Sequence, residues 1–599
     1  MKTARYILNK FQFYILKVNE KLSPKQFQIF AAIVVGIAAG AMAAVLKTLV
    51  HSIHKLADTE GLFSPAKMPY KVFLPIVGIL LTVGLVQKLL KGDLGKGVSN
   101  ILYEIAQKSA FIKRHKLFSH VLTSALTVGF GGSAGLEAPI VITGSAVGSN
   151  IATIWSLPYR DRVLLLGCGA AAGVAAVFNS PIAGVMFAME VLLAEVTLSS
   201  FIPLIIAAAV GALFSKIVFN EATLFQFRLQ EAFDYRNVPF YILLAFVSAF
   251  VSLYYVRVSH KIAHLFKNWQ ANVYVKALFG GLILAGLIYV FPALFGEGYE
   301  SIRLLANGQT DLLLKNSIFS EHRFEEWWVI GFIGSIVFVK AIATSVTLSS
   351  GGNGGNFAPS LFVGTFVGFC FAMIFNKVFD LSLPLGNFSM VGMAGVLSGV
   401  MYAPLTGIFL IAEVTGGYEL IIPLMIVSTL SNFIVRQFEP VSLEMKNMIE
   451  KGEIFSHDKD RNILLLLKTS NVIETDFKTI SVKATLRELI GLIKNSKRNL
   501  FAVLNADGHL VGILTLDDVR EVMFDTTKYD KIFVKNLMVL PPSVLSVNES
   551  MSDIMKKFDT TNAWNLPVID ESGCFMGFIS KSNIFSKYRN ELISMSGEG

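Results

Sequence analysis

Charge is scarce in this sequence. Asp, Glu, Lys and Arg make up 16% of its 599 residues and hydrophobic residues 53%, whereas a soluble domain carries about 25% charged residues. That deficit excludes an ordinary soluble globular chain. Cysteine is nearly absent as well. Cys168, Cys370 and Cys574 are the three present, none in a CxxC pair, so the sequence writes neither a disulfide framework nor a thiolate zinc site. The nine histidines are scattered, and His115, His120, His260 and His264 read as loop or interface residues. No metal-spaced cluster, P-loop or Ser-His-Asp arrangement stands out, which leaves no basis for an enzyme or a resident cofactor. The net charge of +9 is dispersed rather than clustered. It suits loops facing anionic lipid better than nucleic acid.

Long apolar runs take the place of charge. They cover 29–46, 72–86, 201–214, 241–256, 277–290 and 328–338, on the scale of the roughly 20 helical residues that cross a bilayer core. The first 27 residues, MKTARYILNKFQFYILKVNEKLSPKQF, mix basic residues throughout and show no small-residue cleavage site, unlike a signal peptide. Lys and Arg ahead of the first run favour a cytoplasmic N-terminus. Near residue 455 the character changes: polarity rises and short alternating segments replace long apolar ones. FAVLNADGHLVGILTLDDVREV, from Phe501, reads as strand, turn, strand, helix. The expected organisation is a cytoplasmic segment 1–23, a membrane domain 24–455 and a cytoplasmic domain 456–599.

Both domains contain internal repeats. GGSAGLEAPIVITGSAVG at 131–148 superposes on GGNGGNFAPSLFVGTFVG at 351–368, an offset of 220. SPIAGVMFAMEV at 180–191 superposes on APLTGIFLIAEV at 403–414, an offset of 223. The membrane domain is therefore duplicated, with halves at about 70–220 and 240–437. The sequence leaves open whether the copies run parallel or inverted. Inverted copies with a site at their interface are a common transporter design.

The first repeated block suits an anion. A Gly-rich stretch before Pro interrupts a membrane helix, and irregular backbone at membrane depth must be buried or line a cavity. The interruption creates a helix N-terminus whose free N–H groups and positive dipole end attract negative charge. Gly135, Leu136, Glu137 and Ala138 in one copy, with Gly355, Asn356, Phe357 and Ala358 in the other, are the candidate anion pathway. The competing explanation for the glycines is close helix packing. Glu137 lies inside the first break, where an ionisable group is a functional candidate; ionised, it would plug the pathway, and protonated or displaced it would let an anion pass. Helix N-termini repel cations, which argues against divalent-cation transport, a class that wants acidic and carbonyl ligands.

These residues carry a family resemblance. GLEAP at 135–139 resembles the GREGP element of the CLC chloride channels and transporters, and GNFAP at 355–359 resembles their GxFxP element. GAAAGVAAVFNSPIAGVMFAMEV, MYAPLTGIFLIAEVTGGYELIIPLM, GEGYESI from Gly296 and VKAIATSVTLSSGG from Val339 resemble the flanking family segments. The resemblance implies a multi-span α-helical membrane protein with inverted repeats and broken helices, and a homodimer with one pathway per subunit in a bacterial inner membrane. It also implies chloride as the ion and Glu137 as the external gating glutamate.

Three departures from the family pattern stand out. GKGVS, from Gly95 to Ser99, occupies the place of the GSGIP element, which puts Gly95, Lys96 and Gly97 in the pathway with Lys96 replacing the anion-contacting serine. PVSLEMKNMIEKG, from Pro440, stands where bacterial members have PYSIYxxKLxRRG, so Glu444 replaces the pore tyrosine. Lys96 and Glu444 either pair across the inner mouth, or one of them snorkels to the cytoplasm, or the register is shifted by one. Val191 stands where proton-coupled members carry a second, internal glutamate, and valine cannot relay a proton. This favours a passive, voltage-gated type of channel over a chloride/proton antiporter with a non-standard proton route, and leaves a fluoride- or nitrate-selective variant open. Glu190 and Glu413, equivalent in the two copies, are expected to be locally paired structural carboxylates.

The C-terminal domain repeats at an offset of 65, GHLVGILTLDDVREV from Gly508 against GCFMGFISKSNIFSK from Gly573. It resembles a tandem CBS pair, at about 466–528 and 535–595. The resemblance implies an adenine-nucleotide site at Thr515 and Asp518. Ser580 and Asn583 replace them in the second copy, so one such site at most is expected. A dimerisation and trafficking role for the pair is the alternative.

Overall fold

The computed structural model describes residues 22–58, 71–95, 97–193, 198–219, 232–310, 313, 325–449 and 469–596. The chain divides into two compact units, Met1–Ile454 and Phe455–Gly599. The first unit is helical: α1 (Pro24–Asp58), α2 (Leu74–Leu89), α3 (Ser99–Gln107), α4 (Lys116–Gly129), α5 (Glu137–Ile154), α6 (Tyr159–Phe178), α7 (Pro181–Phe187) and α8 (Leu198–Phe219). There follow α9 (Val238–Asn268), α10 (Val273–Val290), α11 (Tyr299–Ala306), α12 (Glu326–Ser349), α13 (Phe357–Phe379), α14 (Leu385–Met401), α15 (Pro404–Val414), α16 (Ile421–Phe438) and α17 (Leu443–Ile449). Among the described residues, nine helical segments are long and apolar enough to cross a membrane. The six apolar runs of the sequence fall in α1, α2, α8, α9, α10 and α12.

Local sequence explains the boundaries. Ser23 and Gln26 form a reciprocal capping box at the start of α1, the Ser23 N–H donating to Gln26 Oε1 at 3.0 Å and the Gln26 N–H to Ser23 Oγ at 3.4 Å, with Pro24 at the first helical position. α6 ends on Asn179 and α14 on Tyr402, both left-handed at φ 54° and 59°. Pro181 and Pro404 then start the next helix in each copy.

The duplication is built into the packing. α1 packs on α4, α6 and α8, as α9 packs on α12, α14 and α16, so the repeated pattern extends to α1 and α9. A Cβ on Gly144 of α5 would lie 2.1 Å from the Gly169 carbonyl oxygen of α6, and one on Gly364 of α13 would lie 2.4 Å from that of Gly392 in α14. These backbones touch because glycine is at each contact. The block glycines therefore divide between the two explanations: Gly144, Gly148, Gly364 and Gly368 serve helix packing, whereas Gly135 and Gly355 sit at the breaks.

The second unit holds two three-stranded sheets of the same design. β1 (Thr479–Ser481) pairs parallel with β2 (Leu500–Leu504), which pairs antiparallel with β3 (Leu510–Thr515). β4 (Leu545–Ser546), β5 (Asn565–Ile569) and β6 (Phe575–Ser580) repeat this. Leu500 opposes Thr515 as Asn565 opposes Ser580.

Candidate functional site

α4 and α12 end at the Gly-rich breaks, and α5 and α13 begin beyond them. The two breaks meet. The Gly135 N–H donates to the Gly355 carbonyl at 3.0 Å and the Gly355 N–H returns a bond to the Gly135 carbonyl at 2.8 Å. Equivalent residues that exchange bonds antiparallel are related by a local two-fold axis, which answers for this contact the orientation the sequence left open. The second break is also tied to α4: the Asn353 N–H donates to Thr127 Oγ1 at 3.0 Å and its side chain to Thr123 Oγ1 at 2.7 Å. The N-termini of α5 and α13 thus converge.

Glu137 fills the space between them. Its side chain is buried, and Tyr299 Oη donates to its Oε1 at 2.6 Å. Its Oε2 faces the N–H groups of Glu137 and Ala358, although no contact there reaches full hydrogen-bond geometry. The carboxylate thus sits where an anion would sit on the α13 N-terminus. Gly135 makes room for it, because a Cβ there would lie 2.0 Å from Oε2. Phe357, the counterpart of Glu137, is buried against the rings of Phe178 and Phe187, with centroids at 5.3 and 6.0 Å.

Several residues around Glu137 were not among those singled out from the sequence. Glu297 faces the Leu136 N–H and lies within electrostatic reach of Glu137, Lys47 and Lys340. Lys340 is fully buried, donates to the Gly296 carbonyl at 3.2 Å and lies 4.6 Å from the Phe362 ring centroid. Glu297 and Tyr299 line a cavity of about 450 Å³ together with His54, Lys71 and Glu300. A signal for this region was present: Gly296-Glu297-Gly298 repeats the Gly-x-Gly pattern of 95–97, and all four glycines have positive φ.

On the other side of the second break, Glu444 reaches α3. Its carboxylate faces the Val98 and Ser99 N–H groups and the Asn356 side chain. Lys96 lies outside the described residues, and so does any Lys96–Glu444 pair. Tyr255 of α9 is fully buried and donates to Asn356 Oδ1 at 3.1 Å, a contact that no sequence pattern marks. Beside Gly95 stands Lys116, paired with Glu104 at 3.0 Å, both side chains 2% exposed.

Two expectations are corrected. Glu190 and Glu413 are not paired locally but across the repeats. Glu190 accepts from the Leu405 and Thr406 N–H groups at 2.9 and 2.8 Å and from Thr406 Oγ1 at 2.7 Å. Glu413 accepts from the Ile182 and Ala183 N–H groups, both at 2.9 Å. Each caps the Pro-initiated helix of the other copy, where a carboxylate is favoured. His120 is not a loop or interface residue. It is fully buried, its Nε2 3.0 Å from the Leu94 carbonyl, so it braces the chain leading into 95–99.

In the second unit Thr515 and Asp518 are together, but in a local cap: the Thr515 N–H and Oγ1 both donate to Asp518 Oδ2 at 2.7 Å. Ser580 donates to Glu474 Oε1 at 2.5 Å, and the Asn583 N–H donates to Ser580 Oγ at 3.1 Å.

Residues 78–436, more than half of the chain, match the family described as Voltage gated chloride channel. The chain belongs to that family. Residues 470–525 and 534–590 each match the CBS domain. The chain is 28% identical over 419 residues to the H(+)/Cl(-) exchange transporter ClcA of Vibrio cholerae, covering 67% of this chain and 84% of the relative. It is 25% identical over 574 residues to the chloride channel protein CLC-f of Arabidopsis thaliana, covering 84% and 71%. Among solved structures, it shares its fold with a slow cyanobacterial Cl-/H+ antiporter at a TM-score of 0.62 and 21% identity, over 72% of this chain and 99% of that one. A eukaryotic CLC transporter matches at a TM-score of 0.60 and 19% identity, over 94% and 99%.

This CLC protein is accordingly an integral membrane protein of an anion-transport family, with a C-terminal CBS pair. The bond from Tyr299 to Glu137 makes a prediction. Tyr299→Phe removes a hydrogen bond to a charged acceptor, which holds about 2 kcal/mol, or roughly 25-fold in the seated fraction of the Glu137 carboxylate. Chloride efflux from proteoliposomes should be faster in this variant at neutral pH. An unchanged rate would mean that Tyr299 does not hold the gate.

Proposed function

We propose that this chain exchanges chloride for protons as a homodimer in a bacterial inner membrane with both termini cytoplasmic, each subunit carrying its own pathway gated by Glu137. The observation that carries the reading is the Glu137 carboxylate seated against the Ala358 N–H under the Tyr299 hydroxyl. A carboxylate that must leave an anion site before an anion enters, and that leaves most readily when protonated, links the two ions at one atom. The name of the Vibrio cholerae relative, an H(+)/Cl(-) exchange transporter, supports the same reading. A passive channel is the second reading. It is favoured by Val191, a part-buried apolar side chain packed on the core at the position where, by the family resemblance, proton-coupled members carry a glutamate.

The test is reconstitution in liposomes under a chloride gradient, with an ionophore clamping potassium while external pH is followed. Uphill proton movement driven by chloride is expected; chloride flux without it would establish the channel. Competition by fluoride and nitrate in the same assay reads the selectivity.

For the CBS pair we propose one adenine-nucleotide site at Thr515 and Asp518. ATP, ADP or AMP at about 100 times its dissociation constant should stabilise the protein by about 2.7 kcal/mol, read as a rise in unfolding temperature that Asp518→Asn abolishes. No stabilisation by any of the three would leave a structural role for the pair.

A further inference from the structure

We infer that Glu444 is a second gate, whose carboxylate stands in for an anion on the N-terminal N–H groups of α3 and takes up the proton that this chain carries between that end of the pathway and Glu137. This rests on the exchange reading above and names the internal proton acceptor that Val191 leaves unassigned.

The geometry at Glu444 repeats the geometry at Glu137 with different parts. In both, a carboxylate from one element is laid on the N–H groups that open another helix: Glu137 on Ala358 of α13, Glu444 on Val98 and Ser99 of α3. In both, a glycine makes the approach feasible. A Cβ on Gly97 would lie 2.7 Å from Glu444 Oε2, and Gly97 has φ 80°. A hydroxyl group stands beside each carboxylate's surroundings as well, Tyr299 bonded directly to Glu137 and Tyr255 reaching Glu444 through Asn356.

Asn356 links the two gates. Its side chain faces Glu444, and two residues on, the Ala358 N–H faces Glu137. Residues two apart have Cα atoms within about 7 Å of each other, so the two carboxylates flank one short turn of backbone. Tyr255 lies within electrostatic reach of both. A pore tyrosine could seal this end but could not take up a proton near neutral pH; a glutamate can.

The proton inventory is simple. A proton from water at the Glu444 end forms an O–H bond on the carboxylate, whose negative charge is lost. The neutral acid releases the Val98 and Ser99 N–H groups and a chloride takes them. On return the O–H bond breaks, the proton passes to water in the pathway and on towards Glu137, and the carboxylate re-seats as the chloride leaves. Other titratable groups on the surrounding elements are otherwise engaged or apart: Glu104 on α3 is paired with Lys116 of α4, and Lys446 on α17 is paired with Glu439. Tyr103 lies on α3 and Tyr255 on α9, and α14 carries no titratable residue.

The experiment uses the full-length protein in proteoliposomes, with chloride and proton fluxes measured separately for wild type, Glu444→Gln and Glu444→Asp. With a proton-coupled wild type, the ratio of coupled proton flux to chloride flux should fall roughly 100-fold in Glu444→Gln, the scale of a lost proton-transfer group. Glu444→Asp, which keeps the acid, should retain coupling. Glu444→Gln should also bind chloride more tightly in calorimetry, because no carboxylate competes for α3; this binding also reports that the variant is folded. Wild-type coupling in Glu444→Gln would overturn the inference and leave the exchange reading intact. If the wild type pumps no protons, the exchange reading and the proton role of Glu444 fall together. The gate is then read from chloride flux against pH at the Glu444 side: a dependence that Glu444→Gln abolishes supports it, and one that survives overturns it.

Discussion

Neutralising Glu137 should abolish proton coupling while leaving anion movement. In Glu137→Gln the side chain keeps its shape but carries neither the charge that seats it on the α13 N-terminus nor an exchangeable acid. Chloride flux should lose its dependence on pH at the Glu137 side of the membrane, and coupled proton flux should fall by at least about 100-fold. Glu137→Ala goes further by emptying the space between Gly135 and Ala358, so a chloride or bromide ion should occupy it in a crystal of that variant. The sign follows from the geometry. On the proposed gate the ionised carboxylate closes the site, so wild-type flux should rise as pH falls on the Glu137 side. A Glu137→Gln protein whose chloride flux still rose with acid on that side would place its sensor elsewhere.

The second large effect is on stability. Glu190 holds three donors of α15, and Glu413 holds two of α7. Removing a carboxylate leaves its partners unsatisfied at about 1 kcal/mol each in part-exposed positions. Glu190→Ala should then cost about 3 kcal/mol and Glu413→Ala about 2 kcal/mol, read as lowered unfolding temperatures in detergent. Their effects should not simply add, because α7 and α15 pack on each other. Glu413→Gln should keep the ratio of chloride to proton flux, since its carboxylate caps a helix and lies outside the gate. A normal unfolding temperature for Glu190→Ala, or uncoupling in Glu413→Gln, would overturn the capping role.

Much of this was legible because duplication writes each feature twice. Gly135 and Gly355, found at one offset, proved to be bonded to each other, and the Glu190 and Glu413 pair proved reciprocal. What the sequence concealed was contact between distant segments. Tyr299 lies 162 positions from the carboxylate it holds, and Tyr255 lies 101 from Asn356; neither position differs in type from dozens of aromatic residues that only face lipid or core. His120 was misplaced for the same reason: a polar residue in a short helix reads as surface until its partner, the Leu94 carbonyl, is seen. Glu190 and Glu413 read as locally paired because sequence shows neighbours along the chain, while the N–H groups they cap belong to the other copy.

The reciprocal bonds between Gly135 and Gly355 carry a consequence for direction. The frame around the anion is close to symmetrical, and a symmetrical frame with symmetrical contents would treat the two sides of the membrane alike. The contents differ: Glu137 on one side of the axis carries a carboxyl group, while Phe357 on the other is apolar and wedged between two rings. On the proposed gate, the polarity of transport would follow from such differences within a doubled scaffold, Leu136 against Asn356 among them. Exchanging the two residues, by Glu137→Phe with Phe357→Glu, asks whether that polarity can be turned around without rebuilding the frame.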